Sequence, residues 1–190
     1  MIKLTELFKR LTLGVVLAGL PMLGGCSNTG SWQEEVKLSD GRVIVVTQKR
    51  RYEGVYTGQN FGSLPREFWL RFKLSEFGDQ EIVWHENLAP RVLNVYQGRL
   101  YVVGIPFTER EYQQYGRPMP FYIGYRYDAG KWQRIAFNEI PEAVYDTNLL
   151  IANGPLNGAK LVTFAMKEAE LKDETIGRVS KRVDPHTTIH

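Results

Sequence analysis

The chain has 190 residues, 43% of them apolar and 24% charged, with 24 Lys and Arg against 21 Asp and Glu. That length suits one domain, and the balance of apolar and charged residues excludes an intrinsically disordered chain. The formal charge of +3 falls to +1 once Lys3, Lys9, Arg10 and Glu6 leave with an amino-terminal signal, so the body lacks the basic footprint that binding to nucleic-acid phosphates requires.

Lys3, Lys9 and Arg10 form a positive segment before the apolar run Leu11 to Leu20, which Pro21 closes. An apolar run of this length is too short to cross a bilayer core of about 30 Å as a helix, so it reads as a cleaved export signal. Leu23-Gly24-Gly25-Cys26 follows and resembles the lipobox of bacterial lipoproteins. The resemblance implies cleavage between Gly25 and Cys26 and acylation of Cys26. Cys26 is the only cysteine, and a lipidated thioether serves neither as nucleophile, metal ligand nor disulfide partner. Because Ser27 rather than Asp follows Cys26, the same resemblance implies an outer membrane location facing the periplasm in a Gram-negative host. Ser27 to Ser31 are all that separate Cys26 from Trp32, the first strand-like residue, and at ~3.5 Å per residue they span about 20 Å. The expected organisation is a cleaved signal at 1–25, a lipidated terminus and tether at 26–31, one β-rich domain at 32–176 and a flexible tail at 177–190.

From Trp32 onward the pattern is mostly period two, the alternation of half-buried strands. Ser39-Asp40-Gly41, Phe77-Gly78-Asp79, Gln97-Gly98 and Asp128-Ala129-Gly130 supply turn chemistry. They predict hairpins pairing 33–38 with 42–49, 67–75 with 80–85, 91–96 with 99–105, and 121–128 with 131–137. Val43-Ile44-Val45-Val46 is apolar on both faces and reads as a central strand, while Gln48-Lys49-Arg50-Arg51 reads as a solvated strand end. Gly54, Gly58 and Gly62 mark an aromatic-bearing loop, and Leu161 to Met166 reads as a last strand after Asn157-Gly158. Glu139 to Tyr145 and Met166 to Ile176 are the two short helices expected. The fold class is therefore mainly β, an antiparallel hairpin meander forming a barrel or a sandwich, with one or two short helices.

Chemistry-bearing motifs are sparse. His85 lacks the His-x-x-x-His, cysteine-cluster or Asp-rich patterns of a metal site, and no cofactor motif accompanies it. Glu34 and Glu35 are adjacent on one strand and point to opposite faces, while Glu109 and Glu111 share parity but fall in an expected loop, and all four read as solvated acids. That loop, 108–120, crowds Arg110, Tyr112, Tyr115 and Arg117 beside two prolines. Arg and Tyr dominate binding hot spots, so these four residues are the expected partner-binding set. The segments Trp32 to Arg42, Tyr115 to Pro118 and Gly130 to Ile135 resemble uncharacterised proteobacterial and phage-associated lipoproteins, a resemblance that implies no activity. The expected function is a lipid-anchored binding or accessory protein of the cell envelope, holding the membrane through Cys26 and an envelope protein through the loop. The alternative is an envelope hydrolase of peptidoglycan whose carboxylates or His85 converge only in the fold.

Overall fold

The computed structural model describes residues 28–54, 64–149, 158–171 and 181–186; Gly25, Cys26, Gly58 and Gly62 lie outside the described residues. The strands are β1 (Thr29–Lys37), β2 (Val43–Glu53), β3 (Leu64–Phe72), β4 (Ile82–Glu86), β5 (Leu88–Tyr96), β6 (Arg99–Pro106), β7 (Ile123–Asp128), β8 (Lys131–Ile135) and β9 (Leu161–Val162). Two helices join them, α1 (Glu109–Gln114) and α2 (Phe164–Leu171). The strands form a five-stranded sheet in the order β4-β3-β2-β1-β9 and a four-stranded sheet in the order β5-β6-β7-β8, so the sandwich is the outcome and the sheet does not close into a barrel.

All four predicted hairpins are present and antiparallel, with the expected pairs joined. Their turns explain why. Gln97-Gly98 and Ala129-Gly130 both have positive φ at the two central residues, the handedness that matches the twist of the flanking strands. In the first hairpin the Arg42 N–H donates to the Asp40 carboxylate at 3.0 Å, and the Leu38 N–H closes on the Arg42 carbonyl at 2.8 Å.

Between the sheets, Val36, Val46, Phe68, Leu70, Ile82 and Trp84 meet Leu88, Leu93, Leu100, Val102, Ile123 and Tyr125. A second core lies on the other face of the four-stranded sheet, where Val92, Tyr101, Val103 and Tyr122 pack under Ile140, Val144, Tyr145 and Val183. Gly124 permits that cover: a Cβ there would stand 2.6 Å from Ile140 Cγ1. β6 is therefore buried on both faces, with Leu100 and Val102 on one side and Tyr101 and Val103 on the other, and so is its neighbour β5, with Leu93 and Val95 against Val92. β2 is third of five in its sheet, as a central strand should be, yet Val43 is 51% and Val45 50% exposed because no described layer covers their face.

Several expectations change. Gln48 and Arg50 are not a solvated strand end: both point between the sheets, and Arg50 is 2% exposed. There, Gln48 Nε2 donates to Glu34 Oε1 at 2.5 Å, Lys167 Nζ lies 3.3 Å from Glu34 Oε2, and the Arg50 guanidinium rests over the rings of Trp32 and Phe68. Glu34, expected as a solvated acid, is thus fully buried and ion-paired. Glu35 faces the other way and receives the Phe164 N–H at 2.9 Å, as the alternation required. That carboxylate sits where helix α2 opens, so the last strand ends at Val162 and the segment onward to Met166 is helical. The helix starts two residues earlier than expected, and its predicted portion beyond Leu171 lies outside the described residues. Glu139 to Tyr145 forms two 3-10 turns, Phe137–Glu139 and Glu142–Val144, instead of one helix. In the expected tail, Val183 is buried and Arg182 lies 3.4 Å from Asp146, which packs this stretch onto the body.

Candidate functional site

The loop 108–120 is more ordered in character than its composition suggested, because its first half is α1. Glu111, expected to be a solvated loop acid, is buried and anchors that helix. Its carboxylate accepts from Arg66 Nη1 at 3.0 Å, from Arg110 Nε at 3.1 Å and from the Thr108 hydroxyl. Burial opposes ionisation of Glu111, but the hydrogen bonds from Thr108 and Arg110 and the charge of Arg66 outweigh it and hold its pKa below the ordinary value. Arg66 is on β3, so the helix is clamped to the five-stranded sheet, and Arg110 reaches Glu53 of β2 at 3.3 Å.

The remaining sequence-named residues divide by role. The Tyr115 hydroxyl donates to Glu86 Oε2 at 2.8 Å, at the end of β4. Burial first, and then the Glu86 carboxylate, raise the pKa of both Tyr115 and its neighbour Tyr125 above the ordinary phenol value. Arg134 of β8 lies over the Tyr115 ring, 5.6 Å from its centroid, and donates to the Tyr115 carbonyl at 3.2 Å. Tyr115 therefore seals the gap between the edge of one sheet and the edge of the other. Tyr112 packs its ring 5.7 Å from that of Phe121 and points its hydroxyl at Met119 Sδ, 3.7 Å away. Arg117 is exposed and pairs with Glu109 at 3.1 Å.

At Gly116 and Arg117 the chain turns at positive φ and then passes through a cis Met119–Pro120 peptide, and Met119 is 63% exposed. Under this turn lies a groove of about 430 Å³, lined by Pro118, Met119, Pro120, Tyr122, Ile123, Arg134, Ile135, Ala136 and Phe137. Its size and its walls, part apolar and part polar with Arg134 among the lining residues, fit a site for an apolar side chain accompanied by an acid. None of Arg110, Tyr112, Tyr115 and Arg117 lines it. They build and brace the wall that Pro118 to Pro120 present, while Arg134 and Phe137 on the opposite wall escaped the sequence reading. Thr108 and Glu111, at the spacing of a capping box, were the readable sign that the loop opens as a helix.

For the hydrolase alternative, the structure pairs His85 with one carboxylate. His85 stacks on Trp69, centroids 4.3 Å apart and planes 12° apart, and its Nε2 lies 3.1 Å from Glu67 Oε2. This is a His–carboxylate pair on the outward face of the five-stranded sheet, with Lys49 over the other side of the same indole. Burial works against ionising Glu67, but Arg51 and His85 outweigh it and lower its pKa, the reverse of what a general acid needs. Among the described residues no group of three His, Cys, Asp or Glu side chains is placed to hold a metal ion. Comparison with protein-family models, with curated proteins and with solved structures finds no match.

Proposed function

We propose that this chain is a lipid-anchored binding protein of the cell envelope, held to its membrane through Cys26 and contacting an envelope partner through the groove beneath Met119. The groove carries the reading: a volume of about 430 Å³, walls that join apolar residues to polar surface, and Arg134 in the lining are the elements of a recognition site. The lipobox resemblance supplies the address. β1 begins at Thr29, so Ser27 and Asn28 alone separate the strand from Cys26, a reach of about 10 Å. A tether that short keeps the body against the headgroups and limits its partners to molecules at that membrane.

The test uses membranes from cells expressing the full-length protein with a photo-crosslinking residue in place of Ala136. A defined envelope partner is expected to crosslink, and Met119→Asp or Arg134→Ala is expected to weaken capture at least several-fold. Cys26→Ser should release the protein from the membrane fraction. Absence of a partner, together with release of soluble fragments from purified peptidoglycan that Glu67→Gln abolishes, would replace binding by hydrolysis.

A further inference from the structure

A sheet ends in edge strands whose outward main-chain groups need partners, and folded proteins usually block them. Of the four edges here, one is blocked, one is short and one is partly occupied. On β4, the Val83 carbonyl receives the Trp132 indole N–H at 2.8 Å. On β5, the Asn148 side chain accepts the Leu93 N–H at 3.0 Å and donates to the Leu93 carbonyl at 2.7 Å, while Ser39 Oγ donates to the Val95 carbonyl at 3.0 Å. β9 is two residues long.

β8 differs. The two-residue turn Ala129-Gly130 makes Asp128 and Lys131 a hydrogen-bonded pair, so Arg126–Gln133 and Gly124–Ile135 are the next such pairs in the register. The N–H and C=O of Trp132 and of Arg134 therefore point away from β7. Among the described residues no hydrogen bond meets these four groups. They have the one-residue spacing that an added strand engages.

We propose that β8 takes up an extended, acidic peptide segment of the partner as a fifth strand of this sheet; this rests on the binding function above and specifies its ligand. Charge selects the occupant. β8 reads Lys-Trp-Gln-Arg-Ile, with two cations and no acid, and Arg99 and Arg126 line, with Tyr127 and the single acid Asp128, a small recess at the hairpin end of the same strands. Opposite charges facing each other across a ladder stabilise a pair, and like charges oppose it. A second copy of β8 would add its own two cations, and in each copy, among the described residues, only Asp128, opposite Lys131, and Glu139, 3.9 Å from Arg126, stand against the four cations at this edge. At the other end of the strand Ile135 and Phe137 enter the groove, which places a pocket for an apolar side chain where the added strand would run off β8.

The test is amide hydrogen exchange by NMR on the full-length lipidated protein in detergent micelles, with a short synthetic peptide of alternating Val and Glu as probe. In the free protein the amides of Trp132 and Arg134 exchange rapidly and those of Gln133 and Ile135 slowly. Saturation with the peptide is expected to slow the first two by roughly tenfold or more, and a Val and Lys peptide is expected to leave them unchanged. Arg134→Pro removes an outward N–H without removing a ladder bond, so it is compared with Arg134→Ala, which shares its loss of charge. Peptide affinity should fall further in the proline variant than in the alanine one, by roughly tenfold. Slow exchange of Trp132 and Arg134 in the free protein, no peptide binding, or equal affinity of the two variants would each overturn strand addition. Protection that appears without peptide as protein concentration rises would mean self-pairing and would overturn it as well. A partner still crosslinked at the groove under any of these outcomes would leave the binding function standing and remove only its strand.

Discussion

Along β2, alternate side chains enter the sandwich and the others face outward, yet polarity does not follow the usual partition. Gln48 and Arg50 are inside, whereas Val43 and Val45 are half exposed. Parity explains the first half of this inversion. Val46 and Tyr52 share a face with Gln48 and Arg50, and a one-residue slip would expose Val46 and Tyr52 with them. The inward polar groups are tolerated because each has company: Glu34 and Lys167 form a charged pair, Gln48 bridges to it, and Arg50 lies on two aromatic faces. Cover explains the second half. The second layer formed by Ile140, Val144, Tyr145 and Val183 packs on the four-stranded sheet, where Gly124 admits Ile140, and no described layer packs over Val43 and Val45.

Removing one member of the buried pair should break this arrangement most severely. Glu34→Ala leaves the Lys167 ammonium buried without its carboxylate and is expected to cost about 3–5 kcal/mol in urea unfolding, whereas the double change Glu34→Leu with Lys167→Met should recover most of that loss. Arg91, on β5, sharpens the point from the opposite direction, because it is 6% exposed and its Nε finds no acceptor among the described residues. Burial, reinforced by the charge of Arg50, lowers its pKa to about 10 against a weaker opposing effect of Tyr122. Arg91→Met should therefore raise stability at neutral pH by about 1–3 kcal/mol. The folded-state pKa lies below the unfolded one, so the native protein bears the full penalty below about pH 10 and is relieved as pH rises toward 12.5. The advantage of the Met variant over the native protein, followed by denaturant titration at successive pH values, should shrink across that window.

A smaller loss, about 1–2 kcal/mol, is expected for Asn148→Ala, which removes the side chain that completes the edge of β5. Hydrogen exchange at Leu93 should accelerate at the same time, making that edge resemble β8. The smallest effect belongs to the outward face of β2: Val43→Thr and Val45→Thr should each change thermal stability by under about 0.5 kcal/mol. A large loss at either valine would mean that their face is covered in the folded protein, and would remove the contrast between the two sides of the strand.

The hairpins were legible because their causes are local. Asp40-Gly41, Gln97-Gly98 and Ala129-Gly130 turn the chain, and the alternation in Phe68, Leu70, Phe72 and Leu74 states which side faces in. The candidate site was half legible. The crowding of Arg and Tyr drew attention to 108–120, but Tyr115 and Glu111 are consumed in holding that segment to β4 and β3. The groove wall opposite comes from Arg134 and Phe137, which nothing in their neighbourhood distinguishes from ordinary strand and turn residues. α1 is not legible in the sequence because five polar residues and one tyrosine carry too little apolar periodicity to announce a helix, leaving the Thr108 and Glu111 spacing as its one local sign.

By itself, then, the order of residues determined the strands, their pairing within hairpins and the parity of each side chain, since turns and period-two alternation act between near neighbours. Tertiary structure decided which sheet receives a second layer, which polar side chains are sealed inside and which edge stays open. Those outcomes depend on meetings between distant segments: Lys167 with Glu34, Asn148 with Leu93, Arg134 with Tyr115. A buried charge or an uncovered strand is a property of what arrives opposite it, and only the folded chain brings that partner.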